Sequence, residues 1–304
     1  MVGVLLQMAA LIACGVAWRF LTHLGIELTT SRQVITSLVY VLFLPALVLE
    51  VLWQAPLGMD SLRTAFLAAS GVITGLLLGW MIYRAIGTPS ALTGALILAA
   101  GFPNATYLGL PVLEATLGPW ARSVAIQYDL FACTPLLLTV GVLVASAYGQ
   151  SGQAEHPLKT LLKVPPLWAA TLAILLNIGD VPLPADLHAW LKMLGGAVVP
   201  LMLLALGMGL RWESVRRDTL LLLLPVIVIQ LLLVPLFIYW LGIETGASGE
   251  WRVAIVLEAA MPSMVLGIAF CDRYQLDTAA YAMAVTLSTL LSVITLPLWF
   301  RILV

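Results

Sequence analysis

Two short segments hold residue types whose combination could bind a solute inside an apolar chain: FPNATYLGLPV at residues 102–112 and EAAMPSMVLGIAF at residues 258–270. In each, an apolar run meets a proline, Pro103 or Pro262, followed at once by a small polar residue, Asn104 or Ser263. Proline removes a backbone donor and clashes with the preceding turn. Asn and Ser favour the N-cap of a new helix, where their side chains accept from its free amides. Each segment is therefore expected to form two half-helices separated by unwound backbone. Polar backbone bared in a membrane-embedded break is tolerated only where protein, water or a ligand satisfies it, so the break is itself a candidate binding site. Half-helices starting at Asn104 and Ser263 would aim positive dipole ends at the break, and those ending near Ala100 and Ala260 negative ones. That field suits a carboxylate accompanied by a cation or a proton-bearing group.

Four carboxylates, Glu50, Glu114, Asp129 and Glu258, lie in apolar stretches. An ionised carboxylate at the centre of a membrane helix costs about 2.5–3.5 kcal/mol, which makes such residues functional candidates. Glu50 and Glu114 sit near stretch ends and are expected to reach headgroups or water. Asp129, in VAIQYDLFACTP, and Glu258, about one helical turn before Pro262, are the candidates for ion or proton coupling. Either could carry a proton or bind Na⁺ when ionised; the alternative is that they only hydrogen-bond bare backbone at the break. No Lys or Arg lies deep in an apolar stretch. An anionic solute would then rely on helix ends, Asn104 and Ser263, with Pro103, Pro262, Tyr107, Gln127 and Tyr128 lining the site. His23, His156 and His188 fall in loops or at helix ends, and no GxSxG, HExxH or P-loop occurs, so an enzyme or an ATP-driven pump is not expected. Cys14, Cys133 and Cys271 form no CxxC pattern and read as small buried residues, so no cofactor is expected, and coupling to H⁺, to Na⁺ or to no ion stays open.

The elements that must position these residues are membrane helices. The chain has 304 residues, 62% hydrophobic and 10% charged, with mean hydropathy +1.07. That is more apolar surface than a soluble domain can hide. Windows of about 20 apolar residues, the length that crosses a bilayer core, can be counted at 2–21, 33–53, 65–83, 91–117, 124–147, 161–177, 191–210, 220–241, 253–271 and 279–302. Continuous apolar runs favour helices over a barrel. The first window lacks a basic leading region and reads as a retained helix. With net charge −1 and no charged tail, nothing points to nucleic acid.

Residues 148–157, YGQSGQAEHP, form the evident linker and divide the windows into five-helix units at 1–147 and 158–304. An odd number of crossings per unit makes the second enter the membrane inverted, as in many secondary transporters. Prolines recur at matching places: Pro45 and Pro200 in each unit's second window, Pro103 and Pro262 in each fourth. Gly71, Gly75 and Gly79 form a stripe for close helix packing. Short-loop Lys and Arg residues number nine on one side (Arg19, Arg32, Arg84, Lys159, Lys163, Arg211, Arg216, Arg217, Arg273) and five on the other. The first side, with the linker, should be cytoplasmic and both termini should face outward. A channel-like or uniport facilitator, or a solute sensor on the same scaffold, are the alternatives to a carrier. The absence of a ring-forming filter sequence and the repeat favour alternating access.

At these residues the chain resembles the auxin efflux carrier family. FPNATYLGLPV is similar to that family's fourth-helix signature and EAAMPSMVLGIAF to its ninth-helix partner. The resemblance extends to the central polar loop and to a last helix ending LLSVITLPLWF. It implies an all-α membrane fold of ten helices in two inverted repeats, like that of bile-acid symporters, in the bacterial cytoplasmic (inner) membrane. Helices one, two, six and seven would form a scaffold, and a transport unit would carry the crossing broken helices four and nine. It further implies an elevator-type movement in a lipid-embedded homodimer, carrying a small organic acid anion. The short linker here departs from the long regulatory loop of many plant members.

Overall fold

The computed structural model describes residues 2–18, 20, 27–149, 162–210 and 217–304. Most of the expected linker, and Arg19, His23, His156, Lys159, Arg211 and Arg216 among the residues counted above, lie outside the described residues. The described chain is helical: α1 (Val2–Ala17), α2 (Leu28–Trp53), α3 (Met59–Ile86), α4 (Ser90–Gly101), α5 (Leu110–Leu117, entered through a wide turn at Ala105–Gly109), α6 (Ala121–Tyr148), α7 (Pro165–Ile178), α8 (Ala185–Gly209), α9 (Leu220–Glu244), α10 (Gly249–Ala259), α11 (Gly267–Tyr274) and α12 (Thr278–Leu303). Six of them, α2, α3, α6, α8, α9 and α12, are long and apolar enough to cross a membrane. Window four has become α4 and α5, and window nine α10 and α11.

Prolines shape the long helices. Turns of π type at Val39–Phe43, Ala105–Gly109, Asp129–Cys133 and Ile229–Leu233 each end two residues before a proline: Pro45, Pro111, Pro135 and Pro235. A proline ring clashes with the carbonyl four residues back and offers it no donor. A turn widened by one residue relieves the clash and keeps the helix running.

The helices pack in two sets. In the first, α1 runs along α8, and α2 lies against α7 and α8. Thus the first helix on each side of the linker packs on the second helix of the other side. Gly15 and Gly207 make the α1–α8 crossing possible, since a Cβ on Gly15 would strike the Leu204 carbonyl and one on Gly207 that of Ile12. In the second set α3 packs on α4, α6 and α9, while α10 rests on α6 and α9, and α12 on α4. Gly75 of the glycine stripe meets the backbone of Ala100 and Gly101 at the α3–α4 crossing. Fewer contacts join the sets, chiefly α5 with α1 and α8, and α6 with α2 and α7.

Candidate functional site

The breaks between α4 and α5 and between α10 and α11 cross each other. Their backbones run antiparallel, bridging Pro103 and Ser263. The Asn104 amide donates to the Pro262 carbonyl at 2.7 Å and the Met264 amide to the Phe102 carbonyl at 3.0 Å. Each break thus satisfies backbone groups that proline left bare in the other. Side chains complete the arrangement: Ser263 Oγ donates to the Ala99 carbonyl at 2.7 Å, Ser288 Oγ accepts from the Ser263 amide at 3.2 Å, Gln230 Nε2 donates to the Met261 carbonyl at 3.0 Å, and the Tyr281 hydroxyl to that of Met264 at 3.0 Å.

The expectation that Asn104 and Ser263 cap new helices is corrected by this geometry. Ser263 spends its hydroxyl on the carbonyl end of α4, and α11 starts only at Gly267. Asn104 makes no side-chain cap bond, because the first turn beyond it is π-type. In that wider turn its carbonyl accepts from the amides of Leu108 and Gly109 at 3.3 and 3.0 Å. The Asn104 side chain is left with 3% exposure and an Nδ2 that has no hydrogen-bond partner.

A narrow cavity of about 50 Å³ lies against the crossover, on the seam between the helix sets. Tyr40 and Leu44 of α2 and Val164 and Pro166 at the start of α7 form one wall; Pro103, Asn104, Ala105, Thr106, Tyr107, Asp129, Leu130, Thr134, Met264 and Leu266 form the other. Asp129 is held there by hydroxyls: Thr106 donates to its Oδ2 and Thr134 to its Oδ1, the latter at 3.0 Å. The Asp129–Cys133 turn explains the second bond, since a π turn stacks residue i+5 rather than i+4 above residue i. The Tyr107 hydroxyl is in electrostatic range of Asp129, Tyr40 and Arg32. Tyr107 and Leu266 also wall a second cavity of about 230 Å³ that includes Arg32, Gln33, Thr36 and Asp272. Helix α2 starts five residues before the expected window, which places Arg32 inside it.

Of the residues singled out by sequence, Pro103, Asn104, Tyr107 and Asp129 line the cavity, while Gln127, Tyr128, Glu258, Pro262 and Ser263 do not. Pro262 and Ser263 act through the crossing itself. Gln127 and Tyr128 are buried, and the Tyr128 hydroxyl has no hydrogen-bond partner. Glu258 is 0% exposed, with neither carboxyl oxygen hydrogen-bonded. It rests on Gly109, where a Cβ would collide with its carboxyl group, and lies in electrostatic range of Asp129 and Tyr128. Thr106, Thr134 and Tyr40 went unnoticed in the sequence. Thr134 had a readable signal in the Asp129-to-Pro135 spacing; Tyr40 had none, because it arrives from another helix.

Glu50 is 6% exposed, and Arg122 Nη1 and Nη2 reach its oxygens at 3.3 and 3.5 Å. His188 Nε2 lies 3.6 Å from Glu50, and Arg122 Nε lies 3.8 Å from Glu114. This cluster joins α2 and α8 of one set to α5 and α6 of the other.

Apolar helices of spanning length, two of the shorter helices interrupted and crossed around a buried polar site, define an integral, multi-pass membrane protein. Its sequence agrees: residues 6–300 match the family described as membrane transport protein. The chain belongs to that family, the auxin efflux carriers. It is 30% identical over 299 residues, 97% of this chain and 95% of the relative, to an uncharacterized transporter of Methanothermobacter thermautotrophicus. It is 27% identical over 209 residues to one of Methanocaldococcus jannaschii (68% and 67% of the two chains). It is 24% identical over 216 residues to the uncharacterized transporter YfdV of Escherichia coli K12 (67% and 66%). The chain is a membrane transport protein.

Proposed function

We propose that this protein is a secondary transporter for a small organic acid anion, bound at the crossover of the two interrupted helices and moved by an elevator-type alternation of access. The observation that carries the reading is the cavity at the crossing, walled on one side by α2 and α7 and on the other by Asn104 and Asp129, with the side-chain donor Asn104 Nδ2 buried and unpartnered. A buried donor without a partner costs about 1–3 kcal/mol, which a ligand carboxylate would recover. The two helix sets supply the moving parts: α1, α2, α7 and α8 as scaffold, the rest as the transport unit. The reciprocal packing of α1 on α8 and of α7 on α2 supports two inverted repeats making ten spans in all. Asp129 and Glu258 are the candidates for H⁺ or Na⁺ coupling, with Gln127 and Tyr128 as buried polar neighbours. The assembly is read as a homodimer in a bacterial inner membrane with both termini outside.

Counterflow in proteoliposomes tests this. Saturable uptake of a labelled carboxylate, accelerated by the same acid inside and abolished in Asn104→Ala, is the expected result. Flux that neither saturates nor responds to internal acid would sink the carrier reading in favour of a channel.

A further inference from the structure

Two cavities meet at the crossover, and their charges differ. Among the described residues, those lining the narrow one include no Lys, Arg or His. The larger one, about 230 Å³, is lined by Arg32 and Gln33 of α2 and Asp272 of α11. Tyr107 and Leu266 line both cavities, so these two side chains, one from each break, stand between them. The Tyr107 hydroxyl is in electrostatic range of both Arg32 and Asp129, as a group placed between the two spaces would be. Arg32 is half-buried and its guanidinium lies on Gly209, the last residue of α8, where a Cβ would come within 3.0 Å of Nη1. The carbonyl end of a helix is negative and holds a cation in place. Five N–H donors in a planar fork let an arginine keep protein contacts and still receive both oxygens of a carboxylate. Asp272 is exposed, so water screens its charge.

We infer that the larger cavity is a carboxylate-binding entry subsite on the path to the crossover, with Arg32 as the group that receives the anion and Tyr107 with Leu266 as the partition it then passes. An anion going straight to the narrow cavity would give up hydration where no cationic side chain lines the wall. Arg32 draws it first into the larger space and raises its concentration beside the partition. Beyond the partition, the buried Asn104 side-chain donor is its next partner. The inference rests on the crossover being the site of an anionic solute and adds the residue that governs approach: Arg32 sets how readily the anion arrives, Asn104 whether it is held.

The test is initial-rate uptake of labelled pyruvate, L-lactate and mandelate by the intact protein in proteoliposomes at constant pH. Arg32→Gln should lower kcat/KM about tenfold, the low end of what a charged cleft adds to an on-rate, and change kcat far less. Wild-type kcat/KM should fall between about 10 and 150 mM salt, as the screening length shrinks from about 30 to about 8 Å, and that dependence should flatten in Arg32→Gln and persist in Arg32→Lys. Asp272→Asn should raise kcat/KM, because it removes a like charge from the same cavity. Unchanged kcat/KM and salt dependence in Arg32→Gln would overturn the subsite and leave the crossover reading, tested separately by Asn104→Ala, standing. Equal losses in Arg32→Gln and Asp272→Asn would also overturn it, since the two would then act as a structural pair. Should Arg32→Gln fail to fold, the other two proteins decide: wild-type uptake indifferent to salt, and no gain in Asp272→Asn, would overturn the subsite. No saturable uptake of any of the three acids by the wild type would overturn it together with the organic-acid reading.

Discussion

The ion cluster at Glu50 offers a quantitative test of how the two helix sets are joined. Arg122→Gln removes both hydrogen bonds to a carboxylate that is 6% exposed, leaving His188 at 3.6 Å as its remaining neighbour. Stranding one partner of a buried pair costs about 3–5 kcal/mol. Here the side chain of Arg122 is 19% exposed and His188 stays close, which lowers the expectation to about 2–3 kcal/mol. Glu50→Gln is milder, about 1 kcal/mol, because Arg122 keeps Glu114 at 3.8 Å and part of its hydration. The double variant should be less destabilised than the sum by about 1–2 kcal/mol, the coupling expected of groups in one network. Unfolding in detergent at pH 7 measures all four proteins. Because the pair bridges the sets, any cycle that slides one set along the other must break it, so the double variant should also change the rate of counterflow. Additivity within about 0.5 kcal/mol, with an unchanged rate, would refute the reasoning.

Two further substitutions probe the crossover and its support. Ser263→Ala leaves the buried Ala99 carbonyl without its hydroxyl donor and should cost about 1–3 kcal/mol in detergent unfolding; an effect below 0.5 kcal/mol, on the same order-of-magnitude scale, would mean the bond is not held in solution. Gly75→Ala should be much worse than Gly71→Ala. A Cβ on Gly75 meets the backbone of Ala100 and Gly101, which cannot step aside, whereas one on Gly71 meets movable side-chain atoms of Tyr128 and Ile238 at 3.3–3.4 Å. Overpacking of about 1–3 kcal/mol is expected at position 75 and under 1 kcal/mol at 71, and equal losses would contradict the packing.

The sequence made the two breaks readable because proline acts locally: Pro103 and Pro262 lack a donor whatever surrounds them. The same locality carried the apolar windows, which follow from composition alone. What the broken segments do with their polar groups was not local. The Ser263 hydroxyl bonds Ala99, 164 positions away, in place of its own helix. Glu50 is paired with Arg122, 72 positions on. The cavity draws Tyr40 and Pro166 from helices whose own residues give no sign of a site. Only the Asp129–Thr134 bond had a local cause, the π turn forced by Pro135, and it was missed because α-helical spacing places residue 133 above residue 129.

The central claim is that the crossover holds the solute, and the side chain that tests it most directly is that of Asn104, which touches the cavity and whose Nδ2 makes no hydrogen bond. The measurement is the thermal shift given to wild type and to Asn104→Ala by a panel of carboxylic acids at saturating concentration, where a ligand at 100 times its Kd adds about 2.7 kcal/mol to the folded state. The account predicts a shift by at least one compound in the wild type that vanishes in the variant, with the unliganded variant no less stable than wild type. A compound that shifts both proteins equally would contradict it and place the solute elsewhere.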